Sequence, residues 1–195
     1  RGHTPDEIRD NRYAIFDGRG WSAPRTLKND HWKIPACPVN GPAADAHGEA
    51  LAVAWFTAAD GVARVQALHS SDAGRTLGAP VRIDLGRPMG RLETVMLPDA
   101  SALILWMEMG TVENSAGIYA RRLFADGKLS AARLVADSTQ ANVATIKGAK
   151  PFSYNGPTPD PYVVEHTDLI NSIRKNEPLN EGEQVMQAFA RNLGV

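Results

Sequence analysis

The chain has 195 residues, of which 43% are hydrophobic and 22% are charged, a composition typical of an ordinary globular protein of one or two domains. Its 21 Lys and Arg residues nearly balance its 22 Asp and Glu residues, which excludes attraction of nucleic acid or an anionic membrane by overall charge. The single cysteine, Cys37, excludes an internal disulfide. The apolar run from Ala102 to Met107 is too short for a transmembrane segment, and the opening residues lack the pattern of a signal peptide.

Three similar stretches recur along the first two thirds of the chain, at a spacing of about 54 residues. Each begins with a turn that contains Asp and Gly and continues into a short strand headed by a large apolar residue: Trp21, Leu77 or Leu129. Apolar runs at 50–56 and 101–107, bounded by Gly, Asp or Pro, have the pattern of buried strands. Four short strands in a repeat of this length are typical of a propeller blade.

The repeat predicts a mainly β protein. In chain order, we expect the last two strands of one blade within 8–27, and then two complete blades with strands near 40–46, 50–57, 62–69 and 80–84, and near 91–97, 102–109, 117–124 and 129–136. The predicted domain is a partial β-propeller of about two and a half four-stranded antiparallel blades over 1–138. A β-sandwich with fortuitous similarity between its strands is the alternative. Trp55 and Trp106 recur at blade spacing and are predicted to lie in the core.

The second repeat contains an Asp-box. Ser70-Ser-Asp72-Ala-Gly74-Arg-Thr76-Leu77 fits the pattern S-x-D-x-G-x-T-W, with Leu77 in place of Trp. Asp72 is predicted to accept backbone N–H bonds inside a tight turn, and Gly74 to supply a positive φ. The apolar eighth residue is expected to fill the space between sheets. We therefore expect the box to be a structural turn between the third and fourth strands, with no catalytic role.

The box and three further stretches, 6–10, 32–42 and 53–57, resemble bacterial sialidase-like proteins with BNR repeats, over about 130 residues. Family members close a ring of about six blades, and the predicted arc has fewer than half of these. The resemblance therefore implies a protein partner or further blades that cover the open sheet edges. It also implies an extracytoplasmic location, either periplasmic or secreted.

The resemblance also implies a ligand site, at the end of the blades opposite the Asp-box. Sialidases grip the carboxylate of their substrate with arginines, because the guanidinium fork matches a carboxylate. Arg9 and Arg91 are the candidates for this role, with Asn40 beside them. Trp32 is a candidate for stacking on a sugar ring.

Catalysis in this family uses a Tyr nucleophile paired with Glu, and an Asp acid. The catalytic candidates are Glu7, Asp10 and Glu108, but no Tyr on the proposed face completes the set. For each of the charged residues named, a solvated loop charge or a structural ion pair is the favoured interpretation over a functional role. The isolated histidines indicate no metal site, and no cofactor is expected.

The repeat stops after about residue 140. We predict a linker over 139–160 and a helical hairpin over 161–195, with Asp160 as the first N-cap. The stretch 161–183 is similar to the C-terminal end of Gfo/Idh/MocA-type oxidoreductases. No G-x-G-x-x-G fingerprint follows any predicted strand, so no nucleotide cofactor is expected. A fusion, a fragment and a composite chain all remain open.

These patterns leave four functional hypotheses. The first is a sialidase-like propeller module that binds glycans or a protein partner. The second is an exo-sialidase or another glycoside hydrolase that becomes active when further blades complete it. The third is a structural accessory subunit of a larger complex, and the fourth is a fragment of an oxidoreductase.

Overall fold

The computed structural model describes residues 5–35, 39–110, 115–140, 143–146 and 152–154, together with five isolated residues between 167 and 175. The described chain is mainly β, and its strands belong to three antiparallel sheets. This confirms the predicted class, whereas the propeller arrangement stays a prediction. The chain divides into two compact units, Arg1–Leu134 and Val135–Val195.

The first unit opens with two short strands, β1 (Arg12–Tyr13) and β2 (Arg25–Thr26), which pair with each other. A four-stranded meander follows, with its strands in sequence order: β3 (Ala43–His47), β4 (Ala50–Thr57), β5 (Arg64–Ser70) and β6 (Val81–Arg82). A short 3-10 turn, Ala59–Gly61, connects β4 to β5. These bounds confirm the four strands predicted for this repeat.

Three longer strands follow in the first unit, namely β7 (Pro88–Met96), β8 (Ala102–Met109) and β9 (Ala116–Leu123). Each pairs antiparallel with the next. The strand β10 (Arg133–Gln140) lies where the fourth strand of this repeat was predicted. It pairs antiparallel with β11 (Val143–Ile146), which in turn pairs with β12 (Phe152–Tyr154).

The predicted linker over 139–160 differs from the structure, because β11 and β12 lie within it. Val143 to Ile146 contains β-branched residues that favour a strand, and the Pro and Gly residues lie between and after the two strands. The predicted helical hairpin falls mostly outside the described residues. Thr167, Ile170, Asn171, Arg174 and Lys175 are helical there.

The core of the first unit lies where β7 packs against β3 and β4. Ala50, Ala52 and Ala54 alternate along β4 and are all buried, so their small side chains allow close approach. Trp55 and Trp106 have no exposed surface, which confirms their predicted core positions. The contact between the sheets is also polar, because the Met96 N–H donates to Asp45 Oδ2 at 2.8 Å.

The three Asp/Gly turns share one local design. Asp17 Oδ1 accepts the N–H groups of Arg19 and Gly20, and Asp126 Oδ1 accepts that of Lys128. In the Asp-box, Asp72 accepts the backbone N–H of Thr76 at 2.8 Å and its hydroxyl at 2.6 Å. A glycine with positive φ follows each Asp: Gly18, Gly74 and Gly127. The aspartate therefore replaces the backbone partners that each tight turn lacks.

The large apolar residues after these turns do not share one environment. Trp21 is 72% exposed and lies beside Phe16, with ring centroids 5.2 Å apart. Leu77 is half-buried and is not among the described residues that pack against the core, in contrast to its expected position between sheets. Leu129 packs against the core. The turns are thus equivalent in hydrogen bonding but not in packing.

The Asp-box turn makes stability depend on pH. The Thr76 hydroxyl, and after it the Thr76 backbone N–H, lower the pKa of Asp72 from 3.8 to about 2. Because the pKa is lower in the folded chain, the carboxylate contributes its full stabilisation above about pH 4 and loses it as the pH falls towards 2. We expect the melting temperature of the wild type to fall more steeply over this range than that of Asp72→Asn, as measured by scanning calorimetry.

The matched control is Asp60→Asn, which changes an exposed aspartate on the 3-10 turn. This variant should keep the steep acid dependence of the wild type. Equal slopes for the wild type and Asp72→Asn would show that the hydrogen bonds of the turn do not couple protonation to folding.

Candidate functional site

An open groove of about 420 Å³ lies beside the start of β7. We call it the Arg91 groove, and its lining residues are Val39, Asn40, Gly41, Pro42, Arg91, Leu92 and Glu93. Its size is within the range of small-ligand sites. Two of the four residues predicted to bind substrate, Asn40 and Arg91, meet here from segments far apart in the sequence.

Two irregularities in β7 shape this groove. Gly90 pairs with Met107 and Glu93 with Leu105, so Arg91 and Leu92 together oppose the single residue Trp106. The extra residue is a β-bulge, which bends the strand and redirects its side chains. A second register shift separates Pro88 from Gly90. Bulges of this kind recur next to functional sites.

The backbone at the bulge has an uncommon conformation. Gly90 has a φ of 86° and Arg91 a φ of 55°, both in the left-handed region. Glycine adopts this conformation freely, whereas arginine does so at a cost of about 1 kcal/mol. Such a residue persists only where its surroundings hold it.

The side-chain amide of Asn40 supplies these surroundings. Its Nδ2 donates to the Met89 carbonyl at 3.2 Å, and its Oδ1 accepts the Arg91 N–H at 3.3 Å. The amide also lies directly over Gly90, because a Cβ added there would come within 2.5 Å of it. Asn40 is thus engaged with the backbone of β7 on both of its polar atoms.

The charges of the groove come from Arg91 and Glu93, both of which are exposed. Among the described residues, none forms an ion pair or a side-chain hydrogen bond with the Arg91 guanidinium. Leu92 between them is half-buried, and Val39, which also lines the groove, is 80% exposed. The lining of the groove therefore includes one cation, one anion and three apolar side chains, those of Val39, Pro42 and Leu92.

The other two predicted substrate-binding residues lie on a different pair of segments. Ile8 and Lys33 form an antiparallel bridge, and the Arg9 N–H donates to the Trp32 carbonyl at 3.0 Å. The Arg9 side chain donates through Nε to the Ile34 carbonyl at 3.1 Å. Trp32 packs edge-on against Phe56, with centroids 5.6 Å apart. Both side chains thus have structural contacts, and neither lines the Arg91 groove.

Two of the predicted catalytic acids, Glu7 and Asp10, belong to the same segment as Arg9. Glu7 is exposed and has a φ of 60°, and its carbonyl accepts the Ile34 N–H at 3.0 Å. Asp10 is half-buried, and its Oδ1 is buried without a hydrogen-bond partner among the described residues. Neither acid lines the Arg91 groove.

The third predicted acid, Glu108, is buried within the fold at 3% exposure. Its Oε1 accepts the Leu85 N–H at 2.5 Å and the Trp106 indole N–H at 3.0 Å. Its Oε2 accepts the Arg87 N–H at 2.9 Å. Three donors from the protein thus occupy this carboxylate, which favours a structural role in holding the β6–β7 connection.

Sequence reasoning missed a second acid in the same connection. Asp84, also buried, pairs with Arg82 at 2.6 Å and accepts the Val65 N–H at 2.8 Å and the Gly86 N–H at 2.9 Å. The hydrogen bond to Asp84 raises the pKa of Arg82. The Asp84-x-Gly86 spacing of an Asx turn was the available signal.

Comparison with known proteins finds no matching family model, no matching curated protein and no matching solved structure. Within the part of the chain that the structure describes, no three His, Cys, Asp or Glu side chains cluster in a way that could hold a metal ion. A search of the same residues for a membrane-spanning helix finds none with the required length and apolarity.

Proposed function

We propose that the chain is a sialidase-like propeller module that binds an acidic glycan in the Arg91 groove. The observation that carries the proposal is the meeting of Arg91 and Asn40 in one groove of ligand size. The resemblance to sialidase-like proteins independently implies a carbohydrate-binding role for both residues. The strand order β3-β4-β5-β6 also agrees with the expected blade meander.

The chemistry of the groove suits a carboxylated sugar. An exposed guanidinium can donate two parallel hydrogen bonds to a carboxylate. Glu93 can accept hydrogen bonds from sugar hydroxyls, and Val39 and Leu92 can pack against the apolar face of a pyranose ring. The opposite charges of Arg91 and Glu93 would favour one orientation of the ligand.

Binding is better supported than hydrolysis. Catalysis by sialidases uses a Tyr nucleophile paired with Glu, and an Asp acid, but neither Tyr nor Asp is among the residues that line the groove. Glu93 is the single carboxylate among the residues that line the groove. Glu108, the predicted catalytic acid on β8, already accepts three hydrogen bonds in the interior.

We expect Arg91→Ala to weaken the binding of 3′-sialyllactose by about tenfold to a hundredfold, because it removes charge-assisted hydrogen bonds worth about 1.5–3 kcal/mol. Titration calorimetry of the wild type and the variant measures this loss. Neutral lactose, which lacks the carboxylate, should bind the wild type and the variant equally weakly.

The matched control is Arg19→Ala, which removes an exposed arginine at the Asp17 turn, outside the groove. It should bind 3′-sialyllactose as the wild type does. An equal loss in the two variants would indicate a general effect of net charge. Tight binding that persists in Arg91→Ala would place the ligand site elsewhere.

A protein partner is the second candidate, favoured by the apolar rim of the groove. Val39, next in sequence to Asn40, is 80% exposed, and Met89, whose carbonyl accepts the hydrogen bond from Asn40, is 42% exposed. Exposed apolar residues beside a charged pair are common at protein interfaces. Two observations together would favour this candidate. The wild type would bind no glycan, and it would bind a stoichiometric protein partner that Val39→Asp no longer binds.

A further inference from the structure

The Asn40 side chain contacts the backbone of β7 at the edge of its sheet. Among the described strands, β7 pairs with β8 on one side and lies at the edge of its sheet on the other, where its N–H and C=O groups meet side chains and not a strand, as the Met96 N–H meets Asp45. Asn40 meets two of these groups at once, the Met89 carbonyl and the Arg91 N–H. A side-chain amide has the same donor and acceptor as a peptide group, so it can replace one residue of a neighbouring strand.

The two residues that flank this contact are complementary to it. Gly90 allows the Asn40 amide to lie against the backbone, because any Cβ there would meet that amide at 2.5–2.6 Å. The Arg91 N–H bond to Asn40 Oδ1 then fixes the backbone of Arg91 at a φ of 55°. The direction of the Cα–Cβ bond follows from φ, so this backbone conformation decides which way the arginine side chain leaves the strand.

We propose that Asn40 is a positioning residue: its amide holds Arg91 in the left-handed conformation and thereby directs the guanidinium into the Arg91 groove. Asn40 then acts on the ligand through Arg91 and not by direct contact, in contrast to the role expected from its sequence. The ligand-binding part of this inference rests on the proposed function, whereas the backbone part does not.

The test compares Asn40→Ala, Arg91→Ala and the double variant with the wild type. We expect Asn40→Ala to speed hydrogen exchange of the Arg91 amide by about threefold to tenfold, the effect of one lost hydrogen bond. The three-bond HN–Hα coupling of Arg91 should shift away from its left-handed value. Asn40→Asp keeps an acceptor for the Arg91 N–H but loses the donor to Met89. It should therefore change the exchange rate and the coupling of Arg91 less than Asn40→Ala does.

Affinity for 3′-sialyllactose separates positioning from direct contact. A positioning residue predicts that Asn40→Ala weakens binding by about threefold to tenfold. It also predicts no further loss when Asn40→Ala is added to Arg91→Ala, since the effect passes through Arg91. Losses that multiply in the double variant would overturn the inference, because they indicate that Asn40 touches the ligand.

The control is Asn29→Ala, which removes an exposed asparagine outside the groove and should change none of these signals. A wild type that does not bind the sugar would contradict the proposed function alone. The exchange rate and the coupling of Arg91 would then still decide whether Asn40 sets its backbone. Unchanged values of both in Asn40→Ala would overturn the positioning role.

Discussion

Trp106→Ala lowers the free energy of unfolding by about 3–5 kcal/mol, the range measured when buried aromatic side chains are truncated. Trp106 has no exposed surface, belongs to the core cluster and stacks on Tyr119 with centroids 5.9 Å apart. Its removal leaves a cavity between packed strands and also deprives Glu108 Oε1 of the indole N–H. Urea denaturation monitored by circular dichroism measures the loss.

Trp21→Ala is the matched control for this prediction. The same side chain is removed, but Trp21 is 72% exposed. Its loss should change the free energy of unfolding by no more than about 0.5 kcal/mol, as is usual for surface substitutions. Similar losses for the two tryptophans would contradict a core centred on Trp106.

Glu108→Gln lowers the free energy of unfolding by about 2–4 kcal/mol, although it changes the shape of the side chain very little. The carboxylate accepts hydrogen bonds on both oxygens, whereas glutamine has one acceptor oxygen and one amino group. In either orientation, the amino group would face at least one of the N–H donors of Leu85, Arg87 and Trp106. A buried donor without an acceptor is costly.

Glu93→Gln provides the matched comparison for Glu108. It makes the same change at an exposed position, and the stability should stay within about 0.5 kcal/mol of the wild type. If Glu108→Gln were as stable as the wild type, the carboxylate would not be the anchor of the β6–β7 connection. That result would favour the predicted catalytic role of Glu108 over a structural one.

The strands that the sequence predicted best are β4 and β8. Each is a continuous apolar run bounded on both sides by residues that favour turns, so the local pattern agrees with the burial. The strand β7 begins at Pro88, before the predicted start at residue 91, because Pro88 and Gly90 normally interrupt a strand and two register shifts break its alternation. The strands β11 and β12 were hidden by the proline and glycine residues around them.

Of the four substrate-binding candidates, two line the Arg91 groove, whereas Arg9 and Trp32 lie on other segments. The resemblance selected Arg91 and Asn40, and the structure brings them to one groove. That Asn40 contacts backbone groups could not be predicted, since it depends on how two distant segments align. The burial of Glu108 was equally hidden, because its three donors come from separate positions in the chain.

Mapping where an acidic sugar binds decides whether the Arg91 groove is a ligand site. Backbone amide resonances of the wild type would be followed while 3′-sialyllactose is added. We expect the largest shifts at Asn40, Arg91, Leu92 and Glu93, with little change at the Asp-box turn around Asp72. Shifts that cluster around Arg9 and Trp32 instead, or none at millimolar sugar, would contradict a binding site in the Arg91 groove.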